Sequence, residues 1–309
     1  SERSRIWSPL VVMPSSSTEW PLARKSACTC SACHSARRLS RVAMTMERGA
    51  FSAGPPQGER LPPWGGSDPL SGGAWGAFFI TGTDTEIGKT AITAALTHLA
   101  AQSGLRAAAI KPLAAGQDCV DGRWVNEDVL RLRAASNMDL RDDEVGPLQL
   151  RTPCAPHIAA RLEGRTISRD SLLAAVRGVA ARADIAFVEG VGGFRVPLVP
   201  GWDTADLAAD LGLPVVLVVG LRLGCINHAL LTAEAVRARG LPLAGWVANH
   251  MDPGMACPAD NVQYLQTHLQ QVFACPFLGQ VPCIDATDAS HSDRLDAVAQ
   301  ALHLPWPRA

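Results

Sequence analysis

From Trp75 onward, short apolar runs alternate with segments of helical spacing. Residues 77–81, 106–111, 184–189, 214–220, 243–249 and 277–281 read as strands. Residues 90–102, 127–135, 156–163, 168–182, 204–211, 227–239, 259–272 and 292–302 read as helices. Asn126 and Ser168 supply N-cap side chains, Ser103-Gly104 ends the first helix, and Pro112 stops the second strand. The strands are apolar on both faces, which suits burial on both sides of a sheet. Alternation with helices predicts an α/β fold: a doubly wound, mainly parallel sheet with helices on both faces. Ligands of such sheets gather beyond the carboxyl ends of the strands, so the residues just after each strand are the candidates for function.

The first of these positions organises the rest. Phe78-Phe79-Ile80-Thr81-Gly82-Thr83-Asp84-Thr85-Glu86-Ile87-Gly88-Lys89-Thr90 passes from an apolar run through a Gly-containing turn into an Ala-rich helix. This is the order of a phosphate loop. Backbone N–H groups cradle a polyphosphate and the helix N-terminus adds partial positive charge. Lys89 reaches the β- and γ-phosphates, and the Thr90 hydroxyl sits on Mg²⁺. The match to G-x-x-x-x-G-K-[ST] is offset, because Thr83 stands at the first Gly position and Gly82 lies one residue earlier.

Composition changes the picture mainly at the amino end. Residues 1–46 carry a net charge of +5, which leaves −6 for the remainder of a chain of net charge −1. The segment is Ser- and Arg-rich without periodicity and runs into Pro55-Pro56, Pro62-Pro63 and Gly65-Gly66. Residues 1–74 are therefore expected to be a largely disordered leader, and residues 75–309 a P-loop domain. Three readings compete for the leader: a targeting peptide, an interaction tail, or translated upstream sequence with Met44 or Met46 as the true start. The last is favoured. Cys30-Ser31-Ala32-Cys33-His34 matches a haem-attachment pattern, but its low-complexity surroundings offer no pocket, and no haem is expected. Only Cys28 adds a thiol nearby, and the six cysteines from Cys119 onward show no C-x-x-C spacing and read as reduced thiols of a cytoplasmic protein. With 47% hydrophobic and 18% charged residues the core is ample. No apolar run nears the ~20 residues that span a bilayer. The net charge gives no support to a nucleic-acid partner.

The other strand ends supply further chemistry. Glu189 closes a hydrophobic strand and is followed by Gly190-Val191-Gly192-Gly193, where small residues let a ligand approach. It reads as a Mg²⁺ ligand or as a solvated strand-end acid. Asp128 is a second candidate ligand, with Glu127 its immediate rival. Lys111 reads either as an ordinary strand-end Lys or as a cation that stabilises charge during phosphoryl transfer. Asn249 reads either as a purine contact or as a turn residue.

Taken together, these motifs resemble dethiobiotin synthetase, the ATP-dependent enzyme family of biotin synthesis. The resemblance rests on Thr81–Thr90, Lys111-Pro112, Asn126-Glu127-Asp128, Pro156-His157, Glu189–Gly193, Gly224-Cys225-Ile226-Asn227-His228-Ala229 and Gly245-Trp246-Val247-Ala248-Asn249. It covers roughly residues 76–304. The phosphate loop with its offset Gly and the Gly-Cys-Ile-Asn-His-Ala run are its most specific parts. It implies ATP- and Mg²⁺-dependent carboxylation and ring closure of 7,8-diaminononanoate with CO₂, through a carbamate and a carbamic–phosphoric anhydride. By the resemblance, Lys111 and Lys89 are catalytic, and Thr90, Asp128 and Glu189 hold Mg²⁺. ATP lies along Glu86, Ile87, Gly88, Lys89, Thr90 and Ala91 and against Gly190, Val191 and Gly192. Asn249, His250, Pro282, Cys283 and Ile284 hold its base. The diamine is bordered by Thr85, Ala115, Gly192 and Gly193. Gly224, Ile226, Asn227 and Tyr264 come from the second subunit of a homodimer. Many relatives carry Ser where this chain has Ala115, which removes one side-chain hydrogen bond to substrate. Two rivals share the superfamily: partition-type switch ATPases and non-catalytic regulatory domains. The former place a signature Lys where this chain has Asp84.

Overall fold

A computed structural model describes residues 76–283 and 291–306. The leader, the Cys30-x-x-Cys33-His34 pattern and Ile284 lie outside the described residues. Strand β1 (Ala77–Gly82) leads through the phosphate loop into helix α1 (Lys89–Gln102). Then come β2 (Ala107–Ile110), β3 (Leu113–Ala115), β4 (Asp118–Val120), β5 (Arg123–Val125) and α2 (Glu127–Ala135). α3 (Asp142–Val145), β6 (Leu148–Leu150), α4 (Pro156–Leu162) and α5 (Arg169–Ala180) lead to β7 (Ile185–Glu189). A small pair, β8 (Pro197–Val199) and β9 (Trp202–Asp203), precedes α6 (Thr204–Leu211). β10 (Val215–Leu221), α7 (Cys225–Ala238), β11 (Leu243–His250), α8 (Pro258–Phe273), β12 (Phe277–Val281) and α9 (His291–Gln300) complete the order.

Six strands form the main sheet in the order β12-β11-β10-β1-β7-β2, and every pairing is parallel. Side chains alternate across a strand, so each strand feeds two cores. Phe78, Ile80, Phe187 and Val216 pack on one face with Ile92 and Leu96 of α1 and Val298 of α9. Phe79, Val188, Leu217 and Val219 pack on the other with Val176 of α5, Leu207 of α6 and Val236 of α7. Phe78, Phe79 and Phe187 are fully buried, and each contributes about 2–3 kcal/mol on that account. The predicted doubly wound α/β fold is the fold found.

The departures are local. Residues 118–125 lack an apolar alternation, yet Asp121 and Gly122, with φ of 50° and 77°, fold them into the β4–β5 hairpin. Asp-Gly is the signal for that turn. β3 and β6 form a separate parallel pair, too short to show a period. Helix α7 begins at Cys225 rather than at 227, because Gly224 takes a left-handed conformation (φ 94°) and starts the helix there. β2 is shorter than the run 106–111 because the Lys111 N–H bonds to the Val145 carbonyl instead of the sheet.

The strand order reverses direction at β1: β7 and β2 lie to one side, β10, β11 and β12 to the other. Their carboxyl ends meet around the phosphate loop, at the switch point where a ligand crevice is expected.

Candidate active site

Helix α1 opens on Gly88, whose φ of 87° few other residues adopt, and it has neither a side-chain cap nor an acid in its first turn. Its first N–H groups are thus left for an anion. A Cβ on Gly88 would fall 2.3 Å from Asn249 Nδ2. Glu86 (φ 57°) also turns left-handed, which curls successive N–H groups inward. The loop is pinned beneath by Ile87, which is buried beside Gly82. It is pinned from the side by the Thr83 N–H, which donates to the Val218 carbonyl at 3.0 Å.

Beside this loop stands a charged cluster. Lys111 Nζ donates to Asp128 Oδ2 and to Glu189 Oε1, both at 2.6 Å. The Thr90 hydroxyl donates to the same Glu189 oxygen at 2.9 Å. Strand register explains the meeting. Glu189 ends β7 opposite Ile80 of β1, and Val188 pairs with Ile110, the residue before Lys111. Asp128 reaches in from the first turn of α2, which Asn126 caps by accepting from the Val129 N–H at 3.2 Å. Its rival Glu127 points away and pairs with Arg131. Burial works against the charge on Lys111, but Glu189 and Asp128 outweigh it and hold the pKa above the usual lysine value. Burial likewise opposes the charge on Asp128, and Lys111 more than compensates, so its carboxyl is held low.

Lys89 is buried and donates to the Asp84 carbonyl at 2.7 Å. Burial lowers its pKa from 10.5 to about 8, against the attraction of Glu189. A lysine depressed in the folded state binds its proton less tightly there than in the unfolded chain. Stability therefore rises between pH of about 8 and 10.5, and the cost of the buried charge is fully present below that window. Denaturant unfolding measured across the window should show this rise in the unaltered chain and lose it in Lys89→Met. The same deprotonation removes the charge that the sequence reading assigns to the phosphates, so nucleotide affinity is expected to weaken as pH climbs past 8.

The donors near Thr90 suit a hard cation. Two carboxylates and a hydroxyl offer only oxygen, and Glu189 Oε2 is buried without a hydrogen-bond partner. Asp128 and Glu189 already share one cation, the Lys111 ammonium. Among the described residues no group of three His, Cys, Asp or Glu side chains could hold a metal alone. A Mg²⁺ ion takes its remaining ligands from phosphate and water, so it needs no more protein than this.

On the other side of α1 lies a cavity of about 330 Å³, walled by Thr90, Ala91, Asn249, His250, Pro282 and Cys283. Asn249 Nδ2 donates to the Ile87 carbonyl at 2.8 Å, which ties this wall of the cavity to the phosphate loop. His250 Nε2 lies 2.6 Å from the Gln280 amide. Arg131, Met251, Arg294, Leu295 and Val298 also line it. No motif or spacing marked the last four. Arg131 follows Asp128 by three residues on a helix, and that spacing was the available signal.

Gly192 and Gly193 lie along the loop: a Cβ on Gly192 would stand 3.5 Å from Thr85 Oγ1, and one on Gly193 3.6 Å from the Gly82 carbonyl. Gly190 and Val191 precede them, and the Gly190 N–H donates to the Ile80 carbonyl at 2.9 Å. Gly224, Ile226 and Asn227 begin α7, joined to the phosphate loop by the Arg222–Asp84 ion pair. Ala115 ends β3 opposite Leu150. Tyr264 is not brought to the cluster. It is exposed on α8, with its ring stacked on His268 at 5.7 Å.

An AAA-domain family model matches residues 76–291. The ATP-dependent dethiobiotin synthetase BioD of Aromatoleum aromaticum is 51% identical over 229 residues, which is 74% of this chain and 97% of that protein. Among solved structures, a ParA family ATPase from Chlorobium tepidum TLS is similar at a TM-score of 0.40 and 12% identity, covering 73% of this chain and 90% of that one. The MinD cell division protein of Aquifex aeolicus is similar at a TM-score of 0.39 and 13% identity, covering 73% and 92%.

Proposed function

This chain belongs to the dethiobiotin synthetase family, and we propose that its residues 75–309 form the domain that performs the family's ATP-dependent ligation. The substrate 7,8-diaminononanoate takes up CO₂ on one amine as a carbamate. A carbamate oxygen attacks the γ-phosphorus of ATP, ADP departs, and a carbamic–phosphoric anhydride forms. The second amine attacks the anhydride carbonyl, phosphate leaves, and the ureido ring of dethiobiotin closes.

The observation that carries this reading is the Lys111 ammonium, held 2.6 Å from two carboxylates at the mouth of a phosphate loop. A carbamate is a poor electrophile until phosphate becomes its leaving group. The protein's task is to align two anions and offset their repulsion. Lys111 does this by exchanging its carboxylates for the carbamate and γ-phosphate oxygens. Lys89 and the N–H groups of Gly88, Lys89 and Thr90 hold the β- and γ-phosphates. Thr90, Asp128 and Glu189 would hold Mg²⁺, which supplies charge neutralisation at the phosphates when bound. Asn249, His250, Pro282 and Cys283 receive the base.

The diamine lies along Thr85, Gly192 and Gly193, with its carboxylate at the N-terminus of α7 in a homodimer. The dimer reading is supported by Leu223, Leu231 and Tyr264, apolar residues 95%, 57% and 46% exposed around that helix. Among the described residues no helix is long and apolar enough to cross a membrane, and we place the reaction in the cytoplasm.

The test is ADP release by the purified chain with Mg-ATP, with and without 7,8-diaminononanoate and bicarbonate. ADP should appear only with both present, matched by dethiobiotin. Release indifferent to the diamine would favour a switch ATPase, and none under any condition a non-catalytic domain.

A further inference from the structure

We infer that Arg131 is a nucleotide-contacting residue that pairs with the α-phosphate of the bound nucleotide. The inference rests on the nucleotide reading of the 330 Å³ cavity above. Arg131 lines that cavity together with Thr90, Ala91 and Ala94 of α1. It stands one helical turn beyond Asp128 on α2, so the helix that brings Asp128 to Lys111 also brings Arg131 to the wall of the cavity. The two ends of the nucleotide are already provided for. Lys89 and Thr90 serve the β- and γ-phosphates, and Asn249 with Pro282 serves the base. The wall between them, at Ala91 and Ala94, faces the α-phosphate and ribose and carries no charge of its own. Among the described residues, Arg131 of α2 and Arg294 of α9 are the arginines that line this cavity, and Arg131 is the one on the helix that also carries Asp128.

Its present partner does not compete strongly. Glu127 is 70% exposed and Arg131 42% exposed, an i,i+4 pair on a helix surface. Such a pair is worth little and is readily exchanged. A guanidinium has five donors and no acceptor, and matches phosphate oxygens in a forked geometry. The α-phosphate is common to ATP and ADP, so Arg131 contributes equally to substrate and product and does not act on the step of bond making.

Calorimetric titration of the purified chain with Mg-ATP and Mg-ADP tests this. Arg131→Ala should weaken both nucleotides about tenfold, the loss of one charge-assisted hydrogen bond. KM for ATP should rise by the same factor with kcat retained, and Arg131→Lys should recover part of the loss. Glu127→Ala, which frees the guanidinium, should bind at least as tightly as the unaltered chain. Unchanged affinity for ADP in Arg131→Ala would overturn the assignment, as would weakening confined to ATP, which would move the contact to the γ-phosphate. Absence of nucleotide binding in the unaltered chain would instead remove the nucleotide reading itself, and this inference with it.

Discussion

Replacing Lys111 with Ala is expected to abolish dethiobiotin formation while largely sparing ATP binding. Lys111 is the cation nearest both Glu189 and Asp128, and the proposal sends its charge to the carbamate and γ-phosphate as the bond between them forms. Removing one such preorganised charge lowers kcat by about 10³-fold or more. In the proposal, nucleotide binding rests on other groups: Lys89, the α1 N-terminus and the cavity beyond Thr90. The measurement is dethiobiotin produced per unit time beside the ATP dissociation constant. Turnover near that of the unaltered chain would end the role assigned to Lys111. A parallel loss of ATP affinity would make it a nucleotide-binding residue.

Glu189→Gln should cost the most stability of any conservative change in the site. The Glu189 side chain is fully buried and Lys111 is only 7% exposed. Neutralising the acid leaves the ammonium with Asp128 alone, whose side chain is 37% exposed. Breaking a buried pair from one side costs about 3 kcal/mol, because the surviving charge keeps its desolvation penalty. The double variant Lys111→Met, Glu189→Gln removes that charge and should regain most of the loss while remaining inactive. Denaturant unfolding of the two singles and the double gives the coupling between them. Near-additive losses would mean that the pair is not coupled in solution as the geometry requires.

Some elements were fully legible from local signals. Residues 127–135 and 204–211 were expected as helices and are α2 and α6, each capped by the residue before it, Asn126 and Asp203. Residues 277–281 were expected as a strand and are β12. In all three, a few neighbouring residues carry the whole instruction: a cap side chain or an apolar run. The β3–β6 pair was not legible, because three residues per strand establish no period and each residue pairs with one 35 positions away. The β4–β5 hairpin was not read from the sequence, since its faces are mostly exposed and its one local signal is the Asp121-Gly122 turn.

The candidate site divides the same way. Phosphate loop, Lys111, Asp128 and Glu189 were each nameable, but Lys111, Asp128 and Glu189 each kept a bland alternative, and to these the geometry adds that the one lysine bridges the two acids. Their meeting depends on strand order. Because β7 lies between β1 and β2 in the sheet, Glu189 emerges beside both Thr90 and Lys111, although 78 residues separate it from the lysine. No spacing in the chain encodes that neighbourhood.

What the sequence determined by itself is therefore the run of strand, phosphate loop and helix, the caps, and the kinds of side chain offered at each strand end. These depend on hydrogen bonds and side-chain periods that close within a few residues. Only the tertiary structure decided that one ammonium would bridge two carboxylates, that Asn249 would tie the wall of a cavity to the loop, and that α2 and α9 would line that cavity. Those outcomes come from packing elements far apart in the chain onto one parallel sheet, where burial of both faces dictates which strand ends become neighbours.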